Sequence, residues 1–229
     1  MGPAFKKACA KLLKLFNYMQ LCKMKNIKAI IFDLGGVIYN INYEKTIEEL
    51  RKLGITNSEF LYSQKKQSKL FDDFETGQIS NYDFLKKLQK KTNNASLKQI
   101  KKAWNAMLLD LPIQRLNTLH KLKRKYIIFL LSNTNEIHIN KIKEILGEKK
   151  FSEFYNLFNK IYFSHIIKKR KPNFDAFQLI LIENKLMANE VLFIDDSIQH
   201  IESAKKLKIN TLHLKKNQEI TNVLSGLVQ

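Results

Sequence analysis

"AIIFDLGGVIYN", residues 29–40, carries an apolar run into an aspartate and then turns on a pair of glycines. A short β-prone run without polar alternation reads as a strand buried on both faces, the mark of a parallel sheet. Asp33 then stands where that strand ends, and open parallel sheets bind ligands at the carboxyl ends of their strands. Three further runs resemble the first: "YIIFLLSN" (126–133), "NKIYFSH" (159–165) and "EVLFIDDS" (190–197). "TLHL" (211–214) reads as one more strand. Helical patterns such as "FDAFQLILIENKL" (174–186) and "SIQHIESAKKLKI" (197–209) alternate with these runs. The alternation predicts an α/β fold, a parallel sheet with crossover helices.

Between about 43 and 115 the pattern changes. "YEKTIEELRKLG", "SEFLYSQKKQSKLFDDFETG", "SNYDFLKKLQKKT" and "SLKQIKKAWNAMLLDL" are all helical, with Gly54 and Gly77 near breaks and Ser80 placed as an N-cap. The expected organisation is a sheet-bearing core over 26–42 and 116–229, a helical insertion over 43–115, and a basic extension over 1–25. That extension has six lysines, no acid, and Phe5, Cys9, Leu12, Leu13 and Phe16 at helical spacing. It reads as an appended or mis-started segment ahead of Met24, as a membrane-surface helix, or as a targeting peptide. Lys11 and Lys14 interrupt the apolar stretch a secretory signal needs, and Lys6 stands where myristoylation of Gly2 wants Ser or Thr.

At 229 residues, 45% hydrophobic and 27% charged, the chain suits one sizeable domain or a domain with a large insertion. No apolar run approaches the roughly 18 residues of a membrane span. The net charge of +19 invites a nucleic-acid partner. Against that, Arg51, Arg115, Arg124 and Arg170 are the only arginines, and the lysines are spread instead of clustered, so solvated lysine faces are expected and no nucleic acid. Cys9 and Cys22 are the only cysteines, which fits a reducing cytoplasm. His120, His138, His165, His200 and His213 lack zinc-ligand spacing.

The polar residues that end the strands are Asp33, Ser132 with Asn133, and Asp195 with Asp196, while Lys171 lies in the loop "KKRKPNFDAF". Taken singly, an aspartate after a strand is a turn residue. Taken together they make a nucleophile-grade carboxylate, a hydroxyl and amide, a cation and a carboxylate pair. Three carboxylates on one edge repel unless they share a hard cation, and Mg²⁺ suits such oxygen donors.

"FDLGGV", "LLSNTN", "KKRKP" and "LFIDDS" occur in the order of the four motifs of the haloacid dehalogenase-like (HAD) hydrolase superfamily, which the chain resembles over about residues 27–220. "FDLGGVI", "LLSNTN" and "FIDDSIQHIESAKKL" look most like its sugar-phosphate phosphatase branch, which includes bacterial glucose-1-phosphatases. The resemblance implies a Rossmann-like three-layer α/β/α core with a small helical cap inserted after the first motif. It makes Asp33 the nucleophile that forms an aspartyl-phosphate. Ser132 and the backbone N–H of Asn133 would hold the phosphoryl oxygens, Lys171 would offset charge, and Pro172 would open the next helix. Asp33, Asp196 and the main-chain carbonyl of Gly35 would bind Mg²⁺, with Asp195 as a further ligand or as the orienter of Lys171. Most phosphatases of the superfamily carry a second aspartate where Gly35 stands, as acid and base for the leaving group and the water. The glucose-1-phosphatase branch shares the glycine.

The expected activity is a cytoplasmic, Mg²⁺-dependent phosphomonoesterase acting on a small phosphate ester such as a hexose phosphate, by a monomer or weak homodimer. Two other readings are a 2-haloacid dehalogenase-type hydrolase and a phosphate-binding regulatory protein with weak turnover. Phe71, Phe74, Glu75 and Trp104 of the cap either face the site or, by their helical spacing, fill the cap's own core.

Overall fold

Strands β1 (Ala29–Phe32), β2 (Ile127–Ser132), β3 (Lys160–Phe163), β4 (Val191–Asp195) and β5 (Asn210–His213) form one parallel sheet in the order β3-β2-β1-β4-β5. The structure is a computed structural model that describes residues 26–55 and 68–228. The expectations for residues 1–25 and for the first part of "SEFLYSQKKQSKLFDDFETG" lie outside the described residues.

Both sheet faces are covered, as the unbroken apolar strands require. Ile30 and Phe32 of β1 pack on one side with Ile128, Leu130, Leu192 and Ile194. Ala29 and Ile31 pack on the other with Phe129, Leu131, Val191 and Phe193. On the first face lie α5 (Ile113–Lys123), through Leu116, Leu119 and Leu122, and α6 (Glu136–Tyr155), through Ile142 and Phe154. On the second lie α8 (Phe174–Glu183), through Ala176, Phe177 and Ile180, and α9 (Ile198–Lys206), through Ile201 and Ala204. The result is the three-layer, Rossmann-like arrangement. Short helices α7 (Ser164–Ile167) and α10 (Ile220–Val223) complete it.

The segment after β1 is helical: α1 (Tyr43–Lys52), α2 (Lys69–Glu75), α3 (Asn81–Gln89) and α4 (Leu97–Trp104), followed by a 3₁₀ turn over Asn105–Met107. Their starts are set by side chains that accept the first free N–H groups. Asn42 accepts from Glu44, Ser80 from Asp83, and Ser96 makes a reciprocal capping box with Gln99. These helices bury a cluster of their own, in which Phe74 stacks on Phe84 at 3.9 Å and Trp104 meets Phe71 and Phe84. Phe71, Phe74 and Trp104 therefore fill the helical core, and Glu75 is the member of that set that reaches the cavity described below.

The segments entering and leaving these helices run side by side. Ile41 and Leu108 form an antiparallel bridge, and Asn40 bonds Leu109 and Asp110. The boundary expected between 115 and 116 falls inside α5, whose apolar residues pack on the sheet. Pro172 does not open a helix either: α8 begins at Phe174, with Asn173 ahead of it. No helix among the described residues is long and apolar enough to cross a membrane.

Candidate active site

From β1 the chain runs outward to β2 and β3 on one side, and later to β4 and β5 on the other. The order reverses between β1 and β4, so a crevice opens at the carboxyl ends of these two strands. Asp33 follows β1 and continues its ladder through an N–H bond to the Ile194 carbonyl at 2.9 Å. Asp195 ends β4 in the same edge, fully buried.

Between them sits the ammonium of Lys171, with no exposed surface. It donates to Asp33 Oδ1 at 2.6 Å and to Asp195 Oδ2 at 2.7 Å, and it lies over the Phe193 ring at 5.5 Å from the centroid. Asn133 fixes the backbone that carries it: the Asn133 side chain accepts from the Lys171 N–H at 2.9 Å and donates to the Lys171 carbonyl at 2.8 Å. The side chain of Asn133 is thus a clamp on the Lys171 loop. Its backbone remains the part to consider for a ligand.

The two linked aspartates differ. Asp195 Oδ1 accepts from the Ser197 N–H at 2.7 Å, and the His200 Nδ1 lies 3.0 Å from Oδ2. Burial pushes the Asp195 carboxyl up, but Lys171 and His200 outweigh it and hold it at about 2. Burial likewise pushes Asp33 up, Lys171 only partly opposes this and the Asp195 charge adds to it, so Asp33 rises to about 6. Burial draws the Lys171 ammonium down, yet the two carboxylates more than offset that and raise it. One cation is shared by two buried acids, and Asp195 alone of the two is also bonded by the Ser197 N–H and His200.

Carboxylate oxygens of Asp33, Asp195 and Asp196 lie within 4.8 Å of one another. Asp196 is held against the turn after β1. A Cβ on Gly36 would sit 2.3 Å from Asp196 Oδ2, and Gly36 has φ +76°, a conformation side chains disfavour. Of the two glycines, Gly36 is the one the turn demands. A Cβ on Gly35 would meet only the flexible end of Ile41, at 2.7 Å. This cradle fits a hard cation: its donors are all oxygen, and Asp33 lacks the further Ser197 N–H and His200 partners that Asp195 has besides the Lys171 they share.

Asp33, Gly35, Ser132, Asn133, Lys171 and Asp196 line one cavity, while Asp195 stands behind it. Tyr43, Glu75, Arg170 and His200 also line it, and none of these roles was read from the sequence beyond Glu75's candidacy. His200 lies five residues past Asp195, and Arg170 directly precedes Lys171, so the signal for both lay in the flanks of the motifs. Burial, with Asp196, Asp33 and Glu75 nearby, pushes the Tyr43 phenol well above its usual range, so it remains protonated.

A sequence model described as haloacid dehalogenase-like hydrolase matches residues 27–208. The D-ribitol-5-phosphate phosphatase of Bacteroides thetaiotaomicron is 26% identical over 205 residues, covering 87% of this chain and 100% of that protein. The crystal structure of the wild-type HAD family enzyme bt-2542 from the same organism, complexed with magnesium and inorganic phosphate, superimposes with a TM-score of 0.74 and 33% identity, over 84% of this chain and 96% of that one. A predicted HAD-like hydrolase from Porphyromonas gingivalis superimposes with a TM-score of 0.77 and 26% identity, over 89% of this chain and 98% of that one.

Proposed function

The chain belongs to the haloacid dehalogenase-like hydrolase family, and from that premise we propose that it is a Mg²⁺-dependent phosphatase of small sugar or sugar-alcohol phosphates, working in the cytoplasm. It is a phosphomonoesterase in kind, as the D-ribitol-5-phosphate phosphatase it resembles is. The observation that carries the reading is Lys171, buried between Asp33 and Asp195 at 2.6 and 2.7 Å, beside Ser132 and Asp196 on one cavity wall.

Asp33 is the nucleophile. Its carboxylate oxygen attacks phosphorus, the bond from phosphorus to the ester oxygen breaks, and water later releases phosphate from the aspartyl-phosphate. Lys171 offsets charge on the nucleophile and the phosphoryl group, while the Ser132 hydroxyl and the Asn133 N–H hold phosphoryl oxygens. Asp195 keeps Lys171 in place, since its own oxygens are already occupied by Lys171, His200 and the Ser197 N–H. Asp33, Asp196 and the residue 35 carbonyl would hold the Mg²⁺, which when bound neutralises anionic charge around the phosphoryl group. Helices α1, α2, α3 and α4 act as the cap that closes over the leaving group and excludes water. Halide displacement from carbon, the other aspartate-based chemistry considered, calls for no oxygen cradle of this kind.

Phosphate release from a panel of metabolite esters, with Mg²⁺ and with EDTA, tests the proposal. Turnover that needs Mg²⁺ and disappears in Asp33→Asn supports it. Undiminished turnover in that variant refutes the mechanism.

A further inference from the structure

Glu75, Arg170 and Tyr43 line the cavity yet have no part in the phosphoryl chemistry derived above. Glu75 ends α2 and is 2% exposed, an unusual place for a carboxylate unless it is paired or used. Its Oε2 lies 3.1 Å from Arg170 Nη2, and the other Arg170 amino group pairs with Asp72. The Arg170 Nε is buried and has no hydrogen-bond partner among the described residues. Asp72 is 43% exposed and does not line the cavity.

Resting on the phosphatase reading, we infer that Glu75 and Arg170 are the specificity-determining pair of this site and select an uncharged, hydroxyl-bearing leaving group. The wall they form offers an acceptor and a donor side by side. A hydroxyl matches both, because it donates to the carboxylate and accepts from the guanidinium. A cationic leaving group gains little from Glu75 with Arg170 beside it. An anionic one meets Glu75 in a cavity that Asp33 and Asp196 also line. An apolar one shuts the pair off from water and gives it nothing in return. The Tyr43 phenol adds a third group able to bond a hydroxyl on the same cavity. The alcohol portion is therefore a polyol or a sugar, read by its hydroxyls and not by charge.

The test compares kcat/KM for two esters of equal carbon count, a pentitol phosphate and n-pentyl phosphate, at saturating Mg²⁺, in the parent, Glu75→Gln and Asp72→Asn. The parent should prefer the pentitol ester. Glu75→Gln should lower the pentitol-to-pentyl ratio about tenfold or more, chiefly through KM, as the loss of a hydrogen bond to a charged group implies. Asp72→Asn, which touches Arg170 from outside the cavity, should leave the ratio within about threefold. Should Glu75→Gln lose its melting transition, Arg170→Lys keeps a cation against both carboxylates and must lower the ratio likewise. A parent that prefers the pentyl ester overturns the inference and leaves the phosphatase reading standing. So does an equal loss on both esters, or an Asp72→Asn effect as large as that of Glu75→Gln. A parent that hydrolyses neither ester nor any other phosphate monoester refutes the phosphatase reading itself, and this inference with it.

Discussion

His138 should make the junction between the inserted helices and the sheet sensitive to acid. It is 5% exposed, its ring stacks on Trp104 at 4.8 Å, its Nε2 meets the Trp104 carbonyl at 3.1 Å and its Nδ1 meets the Asn135 amide at 3.2 Å. These partners suit a neutral ring with the proton on Nε2, donating to the carbonyl while Nδ1 accepts from the Asn135 amide. Burial draws its pKa from 6.5 down to about 4, only partly opposed by the Trp104 carbonyl. A group with a depressed folded-state value and the proton-bound form cationic binds protons first when unfolded. Its contribution is therefore intact above pH 6.5 and is lost as pH falls toward and through 4. The interval from 6.5 to about 4 corresponds to roughly 3 kcal/mol in all, and about 2 kcal/mol of it is gone by pH 5.

Asp33 opposes this trend, because its raised value of about 6 stabilises the fold as pH falls from 6 toward 3.8. The parent's pH profile alone would blend the two effects. Comparison with His138→Gln removes the Asp33 part, which is common to both proteins. Between pH 7 and 5 the parent's Tm should fall by about 4–8 °C more than the variant's, whatever their starting values. Thermal melts followed by circular dichroism at half-unit pH steps measure this. Parallel pH profiles for the two proteins would refute the reasoning.

Gly36→Ala should lower activity and Mg²⁺ affinity together, because the new Cβ lands on the Asp196 carboxylate, whereas Gly35→Ala should be tolerated with a small shift of Ile41; isothermal titration with Mg²⁺ distinguishes them. Asp196→Asn should raise the Mg²⁺ concentration for half-maximal phosphate release at least about tenfold, through loss of a charged oxygen ligand, and an unchanged requirement would remove Asp196 from the metal site. Gly35→Asp should speed alkyl phosphates more than aryl phosphates, up to the roughly 10²-fold of a modest general acid, since only poor leaving groups need the proton. Gly35 is absent from the positive-φ residues, so its backbone admits an aspartate; equal gains on both esters would mean that position 35 does not face the leaving oxygen.

The sheet was legible because a doubly covered parallel strand has to be apolar along its length, and β1, β2 and β4 are. The inserted helices were legible from apolar spacing and from Ser80 at the start of one of them, whereas the capping box of Ser96 was not read. Helix α6 was not. Gly147, at φ +74°, interrupts it, and its buried residues serve two cores, Ile137 the one under the inserted helices and Ile142 with Phe154 the one on the sheet, so no single stripe marks it in the sequence. Pro172 misled as well: a proline next to a helical pattern resembles a first-turn residue, but here the Lys171 backbone is tied to the Asn133 side chain and the chain turns into α8 only at Phe174.

At the site, the sequence disclosed which residue types end the strands but not how charge is divided among them. Asp33 and Asp195 both close an apolar strand, both are buried and both bond Lys171, so strand position alone does not separate them; only the resemblance of the motifs did. The difference comes from distant partners. The Ser197 N–H and His200, brought round by the turn into α9, complete the shell of Asp195 and leave it a fixed anion. Among the described residues Asp33 has no such pair, and it lines the cavity whereas Asp195 stands behind it. On the phosphatase reading proposed above, the nucleophile is the carboxylate whose oxygens stay open to the cavity, and the groups behind Asp195 are what separate the two.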